Sequence, residues 1–298
     1  MLIVKLSGGM GNQMFQYALG RSLSLQKNIL VKYDTSGYVE VANPTNMTRS
    51  YKLNVFNTEA DIATPEELKA AKYPFGIVSK AWRRLTFKLK QHYLDYHPEI
   101  LERDFKKIKF AYLEGFFQSE KYFDKPEIAA AIRKDFELRP EFKSPAMKEW
   151  AAKIEQVKLS QSEQSVSLHV RRGDYVTSAE VNKVLGVPLA EYYKQAIEHI
   201  AKNIDHPHFF VFSDDIEWVK ENIKIPFAVE YVSNPNLMDY EELTLMSLCQ
   251  NAIIANSSFS WWAAWLSANP AKIVTAPKTW TLDGTHPNIL PPNWVPLG

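Results

Sequence analysis

Three short stretches of this chain place polar side chains where strands should end. The first is His169-Val170-Arg171-Arg172-Gly173-Asp174, at the end of a run in which Val166, Leu168 and Val170 alternate with Ser167 and His169. The second, Ser213-Asp214-Asp215, ends the apolar run His208 to Phe212. The third, Asn256-Ser257-Ser258-Phe259-Ser260, follows Ala252 to Ala255. In an open α/β sheet, ligands bind in the crevice outside the carboxyl ends of the strands. Two adjacent guanidiniums there suit a diphosphate, because the planar fork donates bidentate hydrogen bonds and keeps its charge near neutral pH. Ser257, Ser258 and the amides opening the next helix suit further phosphate oxygens. An aspartate such as Asp214 can accept paired hydrogen bonds from a guanine, or can cap the helix that follows it. His169 could approach a base or the phosphates.

The sequence holds no DxD, no HExxH and no Cys/His cluster, so no metal site is expected. Asp214 and Asp215 are neighbours, and in extended chain they point opposite ways. Arginine can replace a metal in stabilising charge on a departing diphosphate. A further glycine turn, Ser7-Gly8-Gly9-Met10-Gly11-Asn12-Gln13, lies between the strand-like Leu2 to Leu6 and a helical pattern carrying Phe15, Leu19 and Leu23. The glycines let backbone come close to a ligand, and Asn12 and Gln13 stand as caps or as contacts. The spacing is neither GxGxxG nor a P-loop.

The elements that must position these residues follow from periodicity. Strand, glycine turn and helix open the chain as a Rossmann-like unit. Thr64-Pro65-Glu66-Glu67 reads as a helix start with a capping box. Lys109 to Leu113 reads as a strand followed by the loop Glu114 to Ser119, and Ser144-Pro145 opens a helix to about Lys158. A polar stretch, Leu159 to Gln164, suggests a boundary between domains 1–160 and 161–298. Beyond it, strands and helices alternate with short connections, which argues for a parallel sheet covered on both faces. The closing segment is rich in Pro and Trp.

Bulk properties narrow the field. The chain has 298 residues, room for two domains, and a formal net charge of +1, so nothing in its balance calls for nucleic acid. Its single cysteine, Cys249, excludes an internal disulfide and reads as a buried apolar residue. No signal peptide and no run of about 20 apolar residues is visible. Residues 80–92 (KAWRRLTFKLKQH) form a basic amphipathic stretch, suited either to an anionic membrane surface or to a solvated helix face.

Four motifs in order resemble those of the α-1,2-fucosyltransferases, glycosyltransferase family eleven. They are Gly8 to Ala18 (GGMGNQMFQYA), His169 to Tyr175 (HVRRGDY), Phe212 to Asp215 (FSDD) and Asn256 to Trp262 (NSSFSWW). The resemblance implies an α/β, GT-B-like fold with two Rossmann-like domains facing across a cleft. It implies GDP-L-fucose as donor, transfer with inversion to the 2-hydroxyl of a terminal β-galactoside, and no required metal or other cofactor. Donor binding would belong to the C-terminal domain. There Arg171 would meet the β-phosphate, His169 and Asp214 the guanine, and Arg172, Ser257, Ser258 and Phe259 the rest of the pocket. Gly9, Asn12 and Gln13 would face the cleft from the acceptor-side domain. Asp174 is the first candidate for the base that takes the hydroxyl proton, and Glu180 the second. The animal relatives carry a membrane anchor, whereas this sequence opens on its first strand. The expectation is therefore a bacterial cytoplasmic enzyme acting on an oligosaccharide or lipid-linked glycan, with peripheral membrane contact through residues 80–92.

Overall fold

The computed structural model describes residues 1–38, 50–72, 111–160, 162–173, 190–282 and 289–298. Asp174, Glu180 and the basic stretch 80–92 lie outside them. The chain divides into two compact units, Met1–Glu137 and Leu138–Gly298. This division falls earlier than the boundary expected near residue 160. The helix Pro145–Ser160 packs against strand and helix of the second unit, and so belongs to it.

In the first unit, strand β1 (Leu2–Lys5) leads into helix α1 (Met10–Lys27) and then strand β2 (Val31–Asp34). Helix α2 (Pro65–Lys72), strand β3 (Ala111–Leu113) and helix α3 (Pro126–Asp135) follow. The three strands pair in parallel in the order β2-β1-β3. The capping box at α2 forms as its sequence dictates. Thr64 N donates to Glu67 Oε2 at 2.9 Å, and Glu67 N donates to Thr64 Oγ1 at 3.3 Å. Phe15 and Leu19 of α1 are buried, as their spacing requires. Tyr17 and Tyr33 stack with ring centroids 5.3 Å apart, and Tyr17 donates to Asp135, tying α1 to α3.

The second unit begins with helix α4 (Pro145–Ser160) and strand β4 (Gln164–Val170). Helix α5 (Ala190–Asn203), strand β5 (Pro207–Ser213), helix α6 (Ile216–Asn222) and strand β6 (Ala228–Tyr231) come next. Helix α7 (Asp239–Leu248), strand β7 (Asn251–Ile253), helix α8 (Ser258–Leu266), strand β8 (Val274–Pro277) and strand β9 (Val295–Leu297) complete it. The sheet is parallel throughout, in the order β6-β5-β4-β7-β8-β9. One face packs Val166, Leu168 and Val170 against Tyr193, Ile197 and Ile200 of α5. On the other face Ser165, Ser167 and His169 are also buried, so the central strand is covered twice. Ser165 meets Gln250, and Ser167 donates to Asn251 O, which satisfies polar groups that burial would otherwise penalise. Strand β9 was not expected; it comes from the Pro-rich tail, an edge position that tolerates proline.

Candidate active site

Strand β4 lies between β5 and β7. The chain runs β4 to β5 to β6 on one side and then returns to place β7 on the other. The switch point of the sheet is therefore the gap between the carboxyl ends of β4 and β7, where connections diverge and leave a crevice. His169 ends β4, and the Asn256–Ser260 segment follows β7. The His169 ring lies 5.6 Å from the Phe259 ring across this gap. Of the first two expected strand-end stretches, one is on β4 and the other on β5, which are paired from Gln164↔Pro207 to Val170↔Ser213.

The two aspartates divide the two arginines between them. Arg171 Nη1 donates to Asp214 Oδ2 at 2.8 Å, and the Arg172 backbone N donates to Asp214 Oδ1 at 2.8 Å. Arg172 Nε donates to Asp215 Oδ2 at 3.0 Å, while its guanidinium lies over the Trp218 ring at 3.8 Å. Asp215, not Asp214, is the N-cap of α6, accepting from Trp218 N through Oδ1 at 3.2 Å. Gly173 is needed beside Asp214. A Cβ there would fall 2.5 Å from Asp214 Oδ2 and 3.3 Å from its Cγ. Ser213 Oγ accepts from Asp215 N at 2.9 Å, and Ser213 N donates to Ser233 Oγ at 3.0 Å, which anchors the loop from below.

His169 is 5% exposed, and its Nδ1 has no hydrogen-bond partner. Burial, helped by the positive charge of Arg171, pushes its pKa down to about 3, so the ring is neutral at physiological pH. A buried neutral imidazole with an unmet nitrogen is poised to bind a ligand group of either donor or acceptor kind, according to tautomer. Ser257 is the N-cap of α8, accepting from Phe259 N at 3.3 Å. Ser258 and Phe259 are half-buried at the helix start. The helix opens directly after β7, and first-turn amides of a helix suit an anion.

Two participants were not legible beforehand. Trp218 braces Arg172, and the Asp215-to-Trp218 spacing is that of an N-cap and N3, the one linear signal for it. Glu242, in the first turns of α7, is half-buried close to Asp214. Burial raises its carboxyl to about 7, with Asp239 and Asp214 adding to the rise and a hydrogen bond from Ser233 opposing it. Nothing in its apolar helix marks it as a neighbour of the arginine loop. Among the described residues no three of His, Cys, Asp and Glu gather as a metal-ligand set.

In the first unit, Gly9, Asn12 and Gln13 sit together after β1, but with different tasks. Gln13 is fully buried: its amide donates to Ser50 O at 2.9 Å and to Gly8 O at 3.2 Å, and accepts from Lys52 N at 2.9 Å. It clamps the glycine turn to the chain at 50–52. Asn12 Oδ1 accepts from Gln118 at 2.8 Å and is half-buried. Gly9 is the N-cap of α1, with extended backbone.

Two parallel sheets, with an acid-braced arginine pair at a switch point, define an α/β fold of the GT-B-like class. The fold is similar to that of a mutant of Arabidopsis thaliana FUT1 in complex with GDP, at TM-score 0.50 and 13% identity, covering 94% of this chain and 72% of that one. It is also similar to fucosyltransferase NodZ from Bradyrhizobium, at TM-score 0.50 and 14% identity, covering 88% and 90%. The chain belongs to glycosyl transferase family 11, whose family model matches residues 1–297. It is 32% identical to an alpha-1,2-colitosyltransferase of Escherichia coli, over 94% of this chain and 92% of that protein. It is 31% identical to the O-antigen biosynthesis glycosyltransferase WbnK of Escherichia coli, over 98% and 99%. Identity to the human galactoside alpha-(1,2)-fucosyltransferase 1 is 25%, over 88% of this chain and 64% of that protein. The protein is thus a glycosyltransferase. Among the described residues no helix is long and apolar enough to cross a membrane.

Proposed function

We propose that this glycosyltransferase moves L-fucose from GDP-L-fucose to the 2-hydroxyl of a terminal β-galactoside, with inversion and without a metal. The observation that carries the reading is the pair Arg171 and Arg172 held at the sheet's switch point by Asp214 and Asp215. A fixed guanidinium fork stabilises charge growing on a departing diphosphate more than it stabilises the intact donor, because its dipoles need not reorganise. In this scheme the acceptor oxygen forms its bond to the anomeric carbon as the bond from that carbon to the β-phosphate oxygen breaks. The electron pair leaves with GDP. The hydroxyl proton goes to a carboxylate, Asp174 first and Glu180 second. Arg171 meets the β-phosphate, Ser257, Ser258 and the first-turn amides of α8 take further oxygens, and His169 and Phe259 line the base. Asp214 already uses both oxygens within the arginine loop, so its stronger role is to brace that loop, with guanine contact secondary.

The α-1,2 linkage has support from two relatives of different named donors, the colitosyltransferase and the galactoside fucosyltransferase. The higher identity to the first favours a second reading, the same linkage with another sugar. The deciding experiment incubates the protein with a panel of GDP-sugars and β-galactosides, with and without EDTA, and determines the linkage of each product. A 1,3 or 1,6 linkage, or loss of turnover in EDTA, refutes the proposal. Partner glycans on lipid, contact of residues 80–92 with a membrane surface and a cytoplasmic location belong to the same proposal, tested by vesicle sedimentation and fractionation.

A further inference from the structure

The ladder between β7 and β8 stops just before the Asn256–Ser260 segment begins. Ala252 N donates to Ile273 O and Ile254 N donates to Thr275 O, both at 3.0 Å. In a parallel pair of this register, the amide two residues beyond Thr275 would next meet Ile254 O. That residue is Pro277, which has no N–H to give. Ile254 is buried, so its carbonyl needs a partner from within the protein. A helix supplies it. Tyr192, in the first turn of α5, donates its hydroxyl to Ile254 O at 2.6 Å and shares it with Thr275 O at 3.1 Å. Burial, with Tyr193 adding to it, holds this hydroxyl well above its ordinary titration range, so the proton stays in place to be donated.

Tyr193 packs edge-on against Tyr192 at 4.9 Å and donates to His169 O at 3.4 Å, one residue beyond the last β4–β7 pair, Leu168↔Ile253. Consecutive tyrosines of one helix turn thus hold carbonyls at the ends of both strands that flank the switch point. Beyond Ile254 the chain is closed on itself. Ser260 Oγ donates to Ala255 O at 3.3 Å and to Ser257 O at 3.2 Å, and Asn256 Nδ2 donates to Trp280 O at 3.0 Å. A turn tied internally in this way has little slack, so a shift at Ile254 carries Ser257 and Ser258 with it.

We propose that Tyr192 is a positioning residue for donor binding, acting through Ile254 O to fix the loop that carries Ser257 and Ser258. The inference rests on the donor-site reading above and adds to it a residue outside all four sequence motifs. It is tested with Tyr192→Phe, which removes the hydroxyl and keeps the ring, and with Pro277→Ala, which returns an amide to the ladder. By isothermal titration, Tyr192→Phe raises the dissociation constant for GDP about 5- to 10-fold. The KM for GDP-L-fucose rises with it, while the KM for lactose stays within about 2-fold. A purely structural role would lower the urea midpoint and leave the GDP constant unchanged, which overturns the proposal. Pro277→Ala alone stays within about 2-fold of wild type, because Tyr192 already serves Ile254 O. Added to Tyr192→Phe, it brings the GDP constant back to within about 2-fold of wild type; independent, additive effects place the loss elsewhere and refute the assignment. Amide hydrogen exchange without ligand reads the loop directly. If the wild-type protein binds no GDP, the proposed function fails, and exchange decides the inference separately. Faster exchange in Tyr192→Phe confined to residues 255–261 and reversed by Pro277→Ala upholds it; exchange that is unchanged, or raised across the whole second unit, refutes it.

Discussion

Gly173→Ala should disable the arginine loop without unfolding the protein. The added Cβ would stand 2.5 Å from Asp214 Oδ2. That oxygen is not free to swing away, because it accepts from Arg171 Nη1 at 2.8 Å while Oδ1 accepts from Arg172 N at 2.8 Å. Relief of the clash therefore costs at least one of these two hydrogen bonds. Each has a charged partner, which sets about 1.5–3 kcal/mol in a buried setting. Asp214 and Arg171 are 26% and 34% exposed, so solvent screening reduces the sum to about 1.5–3 kcal/mol for both together. If that energy holds the fork where the donor phosphate needs it, GDP binding weakens about 3- to 100-fold, according to whether one bond is lost or both. Isothermal titration with GDP and kcat/KM for transfer are the assays. The decisive arm is the double variant with Asp214→Ala, which removes the atom that clashes. Because the two residues act through one contact, the double variant should bind GDP no worse than Asp214→Ala alone. Additive losses, or a Gly173→Ala variant within about 2-fold of wild type in both assays, would refute the steric argument.

Three other perturbations probe different parts of the molecule. Arg171→Ala should cut transfer by about 10³-fold or more and weaken GDP binding, with Arg171→Lys intermediate because it keeps charge but not the fork. Near-normal turnover of the alanine variant would sink the donor scheme. Lys272 donates to Ala264 O, Trp265 O and Ser267 O at 2.7, 3.2 and 2.9 Å, closing the end of α8. Lys272→Met should cost about 2 kcal/mol in urea unfolding through lost charged hydrogen bonds, and an unchanged midpoint would rule that out. Glu242→Gln tests the carboxyl raised to about 7. Between its ordinary value of 4.5 and 7 the folded wild type holds a proton that the unfolded chain has lost, so this group makes stability fall as pH rises through that window. The variant's advantage over wild type should therefore grow from low to neutral pH, by at most about 1.4 kcal/mol per pH unit, and a constant difference would contradict the burial of Glu242. His169 acts in the opposite sense. Its stability contribution is complete above about 6.5 and is lost as pH falls toward 3, because the unfolded imidazole takes a proton that the buried one refuses.

The central strands were legible by two different signals: Phe209 to Phe212 is an unbroken apolar run, as burial on both faces favours, whereas Val166 to Val170 shows itself by alternating apolar residues with Ser167 and His169. The capping box at Thr64 was equally plain, since its partners are three residues apart and need no tertiary help. Long-range choices were not. Which of Asp214 and Asp215 caps α6 is a tertiary choice: Asp214 takes Arg171 and the Arg172 amide, while Asp215 caps the helix and holds the Arg172 guanidinium as well. The helix Pro145–Ser160 carries no mark of the unit it joins, because its short buried face, Met147, Ile154 and Val157, would suit either. Gln13 reads as a cap or a ligand contact by its place after a glycine turn, and in the fold its side chain is taken up by Ser50 and Lys52. A buried polar side chain and a binding one have the same composition. Only the partner's position in space tells them apart.

The arginine loop shows why that distinction matters for the chemistry. Two cations alone would attract a diphosphate strongly, but each would sample many rotamers, and ordering two long side chains at the moment of reaction is costly. Pairing Arg171 with Asp214 and Arg172 with Asp215 cancels much of the long-range attraction while fixing the plane of each fork in advance. Trp218 under the second guanidinium does the same through stacking, and Gly173 leaves the room that the first pair requires. On the proposed function, the site gives up some field to gain position. For a reaction whose barrier lies in charge accumulating on a leaving group, position is the more useful of the two, because donors already aimed at the developing charge need no reorganisation to stabilise it.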